Sequence, residues 1–407
     1  MGITIKKGYF SKRIESVDHI VLICALFLVC IGVLMVYSIT GISTYNNRQD
    51  DPLGYVIVSV LSALLGFVGM FVILFIPYPV IKKILGPLSV VGTIGLLLIA
   101  LLFGSGTNAS NVRRWVSILG FTFQPAEFAR IGLVISMAWF IQNLVDKNEY
   151  YSQKLISKSL YPLAYVALCG VMIIGQRDLG SAIIVLGIGL TMFLCSGINK
   201  WQILGVFSVI IVGGIGILLN LHGYQLQRFE VWLDPFNHFR GLQNVAGFIS
   251  IAQGGLFGVK LGNSMQKYGF AIEPHTDFII TIIAEELGVF VVLLVMLAYF
   301  LIAMRCFLTA FKGKDLFSSL ICIGVGAFFL IQPLVNLGGV IGLIPLSGVT
   351  LPLISYGGTS LMATCIMIGI YFNARSEIMR CIRVEKKQAA RATKVLSKKV
   401  IPFKQLG

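Results

Sequence analysis

Charge is scarce in this sequence: Asp, Glu, Lys and Arg make up 12% of its 407 residues, while 57% are hydrophobic. That scarcity, with a mean hydropathy of +0.89, excludes a soluble enzyme of two or three domains and leaves a chain that lives in a bilayer. No polar stretch is long enough to fold as a separate catalytic domain. There is no phosphate-binding Walker loop, no zinc-protease His pair and no Rossmann fingerprint, so ATP hydrolysis, zinc chemistry and nicotinamide chemistry have no visible home. An enzyme built on this chain needs a substrate that arrives already activated. Of only 4 histidines, His222, His238 and His275 fall in one long loop at spacings that form no metal-ligand pattern. The 8 cysteines (Cys24, Cys30, Cys169, Cys195, Cys306, Cys322, Cys365, Cys381) fall in apolar runs or on the basic side of the chain. Neither a disulfide framework nor a cysteine zinc site is expected, and they read as small core residues.

What is present is a succession of apolar runs near the ~20 residues needed to cross a hydrocarbon core. They predict spans at roughly 18–39, 55–76, 85–104, 125–145, 160–175, 180–198, 202–220, 277–304, 316–337 and 353–373. The first run follows Lys6, Lys7, Lys12 and Arg13 without a small-residue cleavage site, which makes it a retained helix and not a removed signal. The fold class is therefore an all-α polytopic membrane protein of about ten transmembrane helices, with a long outer loop between helices 7 and 8. A basic tail (1–17), a membrane domain (18–374, its outer loop at 221–276) and a second basic tail (375–407) divide the chain. Lys82, Lys83, Lys147, Lys154, Lys158, Lys200, Arg305, Lys312 and Lys314 share the side of the basic N-terminus, and the positive-inside tendency puts that side, with both termini, in the cytoplasm. The C-terminal tail suits anionic lipid headgroups; it lacks the interleaved aromatics that stack on bases, so nucleic acid is not expected.

Several cations break that rule. Arg113, Arg114, Arg177, Arg228, Arg240, Lys260 and Lys267 lie on the outer side, where surplus positive charge points to an anionic ligand unless Glu230, Asp234 or Glu273 absorbs it. Acids at the bilayer are functional candidates by default: Glu127, Asp178, Asp277, Glu285 and Glu286. Glu127 and Arg130, three apart, share a helix face and can pair, an arrangement that a structural role explains equally well. Asp277, where the outer loop re-enters the membrane, is either a general base strengthened by apolar surroundings or the N-cap of the next helix. Glu285 and Glu286 point about 100° apart on a helix, so only one shares a face with Asp277.

These strings together resemble one family. Arg114-Trp115-Val116 with Phe123-Gln124-Pro125-Ala126-Glu127-Phe128, Gln176-Arg177-Asp178-Leu179-Gly180, Gly241-Leu242-Gln243, Gly254-Gly255-Leu256-Phe257-Gly258, His275-Thr276-Asp277-Phe278, Ala284-Glu285-Glu286-Leu287-Gly288 and Ile354-Ser355-Tyr356-Gly357-Gly358 follow, in order, the pattern of the SEDS (FtsW/RodA/SpoVE) peptidoglycan polymerases. Gly262-Asn263-Ser264 with Gln266-Lys267 looks more like the FtsW/SpoVE branch than the RodA branch.

The resemblance implies an inverting peptidoglycan glycosyltransferase that polymerises lipid II at the outer face of the bacterial cytoplasmic membrane, in division or shape maintenance. It places the catalytic aspartate on Asp277 and the supporting pair on Glu127 and Arg130. It gives pyrophosphate or substrate binding to Arg113, Arg114, Gln124, Lys260 and Lys267, with Trp115, Gln176, Asp178, Gln243, His275, Glu285 and Ser355 as further motif residues. It implies a class B penicillin-binding transpeptidase and divisome or elongasome proteins as partners, leaves room for a divalent cation (Mg or Mn), and names no ligands for one. The chain departs from the family at Arg130, where lysine is usual, and at Ala246, Gln253, Lys260 and Ile272 in the outer loop. A flippase for the lipid-linked precursor, or a silent scaffold for a transpeptidase, is the alternative reading.

Overall fold

The computed structural model describes residues 9–46, 52–105, 114–118, 121–147, 158, 160–197, 224–238, 241–268 and 276–399. The expected span at 202–220, Arg113 and His275 lie outside the described residues.

A short helix α1 (Tyr9–Ile14) leads into α2 (His19–Asn46) and α3 (Pro52–Phe75). A single α turn at Tyr78–Val80 and a π turn at Ile81–Leu85 run into α4 (Gly86–Phe103). A small antiparallel hairpin, β1 (Val116–Ile118) and β2 (Phe121–Phe123), pairs Ser117 with Thr122 and precedes α5 (Pro125–Asp146). Then come α6 (Tyr161–Gly175), α7 (Leu179–Leu194), α8 (Tyr224–Leu233) and α9 (Leu242–Gly254). The chain closes with α10 (Ile279–Leu287), α11 (Val289–Ala310), α12 (Leu316–Val340) and α13 (Gly358–Lys399).

Among the described residues six helices are long and apolar enough to cross a membrane, and α6 and α7 are shorter apolar helices. A helix satisfies its own backbone polar groups, which is why so apolar a chain folds this way. Burial orders the bundle. Of the apolar window of α12, 78% is buried, against 28% for α3 and 22% for the span ending in α4, so α12 is the axis and the other two face lipid.

One sequence expectation is corrected here. The single span at 277–304 is two helices, α10 and α11, broken at Gly288 with φ +86. The break is tolerated because the outer loop returns and supplies partners for the freed groups: Val289 N–H donates to Gly255 O (2.9 Å) and Phe290 N–H to Leu256 O (3.2 Å). In the other direction Val259 N–H and Lys260 N–H donate to the carbonyls of Glu285 (2.9 Å) and Glu286 (3.0 Å). A Cβ at Gly288 would collide with the Leu256 carbonyl. α13 runs unbroken from Gly358 to Lys399, so the last span and the basic tail that follows 374 share one helix.

The start of α2 and the far end of α11 meet at Asp18. This buried carboxylate takes Arg305 (2.9 Å) and Arg375 (2.5 Å), with the Tyr371 hydroxyl at 3.2 Å. Asn373 donates to the last carbonyls of α3, Ile73 (2.8 Å) and Leu74 (3.3 Å), and to Ile76 (2.7 Å) just beyond. That end of the bundle is locked by charge and amide. The other end of α11, about 30 Å away at 1.5 Å per residue, carries the candidate site.

Candidate functional site

Asp277 does not cap α10. The cap position is Phe278, whose side chain makes no cap bond. Its own residue is held from the backbone instead. Asn336 Nδ2 donates to Asp277 O (2.9 Å), Ser355 Oγ donates to Thr276 O (2.6 Å), and Thr276 Oγ1 donates to Asp277 Oδ1 (3.0 Å). The half-buried residue is thus held at its backbone by Asn336 and Ser355, and its carboxylate is touched by Thr276.

The segment between α12 and α13 forms a strap over the site, and its carbonyls accept donors from five different places. Trp232 Nε1 takes Gly342 O (2.8 Å), Arg228 Nη1 takes Leu346 O (2.8 Å), and Arg114 Nη1 takes Gly348 O (3.3 Å). Asn336 Nδ2 takes Val349 O (2.6 Å) and Gln332 Nε2 takes Thr350 O (2.8 Å). Irregular backbone at membrane depth needs such partners, so the strap is set by the side chains around it.

Gly348, with φ +66, marks the focus. A Cβ there would stand 3.3 Å from Arg114 Nη1, 3.4 Å from Arg228 Nη2 and 3.6 Å from Asp277 Oδ2. One carboxylate and two guanidiniums therefore crowd a single point. Arg114 is steadied by Asp178 (Nε to Oδ2, 3.3 Å), a contact close enough for charge pairing without hydrogen-bond alignment. Asp178 in turn caps α7 through Ser181 N–H (3.1 Å) and accepts from Gln124 Nε2 (3.4 Å).

Below this lies a buried polar chain. Arg130 Nη1 donates to Gln332 Oε1 (2.9 Å) and Nη2 to Ser181 Oγ (2.9 Å). Glu127 and Arg130 face each other as opposite charges without a direct hydrogen bond between them. The guanidinium is drawn to α12 and α7, where two acceptors match its fork, and Glu127 Oε2 and Arg130 Nε are left without hydrogen-bond partners. Both residues line one small cavity with Phe328, Ser360 and Thr364.

Other expected residues take different places. Lys267, expected among the substrate-binding cations, is corrected: it is buried and bonds Glu286 Oε1 (2.5 Å), its charge matched inside the fold. Glu286 also accepts from Ser38 Oγ (2.6 Å). Glu285 accepts from Ser264 Oγ (2.6 Å) and Met265 N–H (2.7 Å). Both glutamates therefore anchor the outer loop, and neither joins Asp277. Gln124 points at Asp178 and Gln176 at Leu97 O (3.1 Å), both buried, so each holds structure. Ser355 accepts from Leu351 N–H (2.8 Å) as well as holding Thr276. Trp115 is exposed beside the hairpin, Gln243 is half-buried on α9, and Lys260 is exposed at φ +81.

Sequence reasoning missed Gln332, Asn336 and Gly348. Two amides four residues apart in an apolar span share one helix face, and that spacing was the available signal.

No cluster of three metal-binding side chains occurs among the described residues. Guanidiniums flank Asp277, an arrangement that suits an anionic group.

Residues 18–379 match the family of FtsW/RodA/SpoVE cell cycle proteins. A Bacillus subtilis protein described as a probable peptidoglycan glycosyltransferase FtsW is 35% identical over 96% of this chain and 98% of its own. A Geobacter protein of the same description is 32% identical over 90% and 99%. Among solved structures, a chain of a peptidoglycan synthase complex that coordinates polymerization and crosslinking is similar at TM-score 0.68 and 25% identity, covering 85% of this chain and 97% of that one. The Thermus thermophilus rod shape determining protein RodA shares the fold at TM-score 0.63 and 23% identity, over 88% and 96%.

Proposed function

This chain belongs to the FtsW/RodA/SpoVE family of cell cycle proteins, and from that premise we propose that it is a peptidoglycan glycosyltransferase that joins lipid II units into glycan strands. The observation that carries the site assignment is the convergence of Asp277, Arg114 and Arg228 on the Gly348 point. An acceptor 4-hydroxyl attacks the anomeric carbon of a donor, the bond from that carbon to the pyrophosphate oxygen breaks, and the configuration inverts. Asp277 takes the hydroxyl proton. Arg114 Nη1 and Arg228 Nη2 face the pyrophosphate, whose charge grows as the bond breaks, and planar guanidiniums match phosphate oxygens in pairs. Asn336 and Ser355 hold the Asp277 backbone so that the carboxylate needs little reorganisation. A divalent cation would enter bound to the substrate pyrophosphate, and no step is assigned to it.

The reaction belongs at the outer face of the bacterial cytoplasmic membrane, with both termini inside, because surplus lysine and arginine collect at the opposite end. The protein works with a crosslinking partner, for which we propose a class B penicillin-binding transpeptidase. The relation to a polymerizing and crosslinking complex supports this.

The test is gel-resolved polymerisation of labelled lipid II by the purified protein with its transpeptidase partner, comparing wild type with Asp277→Asn. Ladders from wild type and none from the folded variant are expected. Ladders from both would remove Asp277 from the chemistry, and none from either would return the chain to the flippase or scaffold reading.

A further inference from the structure

The outer loop contains a stretch that the proposed reaction does not use. Residues 241–259 include no Asp, Glu, Lys, Arg or His, although they lie between α8 and the re-entry at Asp277. At their tip, Leu256 and Phe257 are 67% and 81% exposed. An isolated exposed leucine needs no explanation, but this pair is positioned by specific contacts.

The turn is pinned to the head of a span. Gly255 and Leu256 accept from the first two N–H groups of α11, so the tip stands beside the first turn of that helix. Along α11, Phe290, Leu293, Leu297 and Phe300 are exposed at helical spacing, a stripe that faces hydrocarbon in any membrane placement of this span. The Leu256–Phe257 tip continues that stripe upward. It is also rigid. Cβ atoms at Gly254 and Gly258 would strike the Ala284 and Glu286 carbonyls, so the turn lies flush on the end of α10. The first charge after the apolar stretch, Lys260, is exposed and follows the tip by three residues.

We propose that the Leu256–Phe257 turn is a lipid anchor, inserted into the acyl region of the leaflet on the Asp277 side, with the Lys260 ammonium among the anionic phosphates. An apolar wedge flanked by lysine is the chemistry of an interfacial segment, the lysine stem running along hydrocarbon while its charge stays with the headgroups. The turn is bonded to the C-terminal end of α10, and Asp277 precedes the other end. About ten residues of helix, roughly 15 Å, therefore separate the anchor from the carboxylate. Seating the wedge fixes the height of Asp277 relative to the headgroup layer. A membrane-bound enzyme acting on a lipid-linked substrate needs that height fixed, because the substrate's own reactive group is held at a set depth by its tail.

The test places p-benzoylphenylalanine at the position of Phe257 in the full chain, reconstituted in phosphatidylglycerol and phosphatidylethanolamine bilayers, and irradiates it. The same label in place of Leu293 reports lipid contact on the stripe, and in place of the exposed Asn237 it reports water. Lipid adducts at 257 comparable to those at 293, and absent at 237, are expected. Adducts at 293 but none at 257 would put the tip in water and overturn the anchor. With the transpeptidase co-reconstituted, a protein adduct at 257 replacing the lipid adduct would make the tip a protein interface and also overturn it.

Discussion

Replacing Lys267 with methionine separates the two roles this residue can have. Its ammonium and the Glu286 carboxylate, 2.5 Å apart, are both fully buried, and the remaining Glu286 oxygen is taken by Ser38 Oγ at 2.6 Å. Lys267 also reaches Ser38 Oγ (3.3 Å) and Ser38 O (3.4 Å), so one cation ties the outer loop to both α10 and α2. Removing it leaves an uncompensated buried carboxylate, which costs about 3–5 kcal/mol. Replacing both, Lys267→Met with Glu286→Gln, removes both charges and recovers most of that cost, because a buried pair exchanged for neutral groups is often close to neutral. Unfolding of a many-helix protein is not a two-state event, so the readout is local: hydrogen exchange of residues 259–268 in purified protein. The single variant should speed exchange there by ~100-fold or more, and the double variant should return close to wild type. If exchange is unchanged in Lys267→Met while the dependence of polymerisation on lipid II concentration shifts, the ammonium serves a ligand and the reasoning fails.

Three further outcomes follow from particular atoms. Gly348→Ala puts a methyl among Arg114, Arg228 and Asp277 at a left-handed φ, so polymerisation should be lost with a stability penalty of only about 1–2 kcal/mol, and an active variant would move the reaction away from that point. Lys260→Gly relieves a side chain held at φ +81 and should raise stability by up to about 1 kcal/mol, whereas a fall in melting temperature would mean that the side chain braces the fold. Asp315, which caps α12, is raised by burial but lowered further by bonds from Tyr78, Lys82 and Ser318 N–H, so its folded pKa lies below the ordinary value. Its contribution is fully present above about pH 4 and is lost as pH falls through that lowered value. The melting difference between wild type and Asp315→Asn should hold from neutral pH down to about 5 and close below about 4, and a gap that widens in acid would reverse the sign.

The bundle was legible because its signal is length and hydropathy, which depend on nothing distant. Asp277 stood out as a candidate for a similar reason: an acid at the mouth of a span is costly wherever it sits. The error at 277–304 has a different origin. Hydropathy treats Ile279 to Ala310 as one run, and the break at Gly288 exists only because Gly255 and Leu256, some thirty residues earlier, come back to accept its N–H groups. Lys267 was misread for the same reason. A cation on an outer loop looks like a ligand group until the fold brings Glu286 against it, and no local pattern announces that pairing. Arg114 and Arg228 were both visible as outer cations, but their meeting at Gly348 depends on the strap between α12 and α13.

That strap explains why the site can stand at the edge of a membrane without a regular element to hold it. Asn336 joins the Asp277 backbone to Val349, and Gln332, one turn earlier on the most buried helix, joins Thr350 to Arg130. Arg130 carries the connection on to Ser181, which stands in the first turn of the helix that Asp178 caps, and Asp178 steadies Arg114. The chain of contacts thus leaves Asp277 and returns to the site at Arg114. Arginine at position 130 suits this circuit, because two separate amino groups reach two helices at once, whereas a lysine offers one point of charge. A lysine there would present one ammonium in place of the two terminal amino groups, near Glu127, whose Oε2 lacks a hydrogen-bond partner. Arg130 thereby ties α5 to α12 and α7 beneath Asp277 through a single side chain.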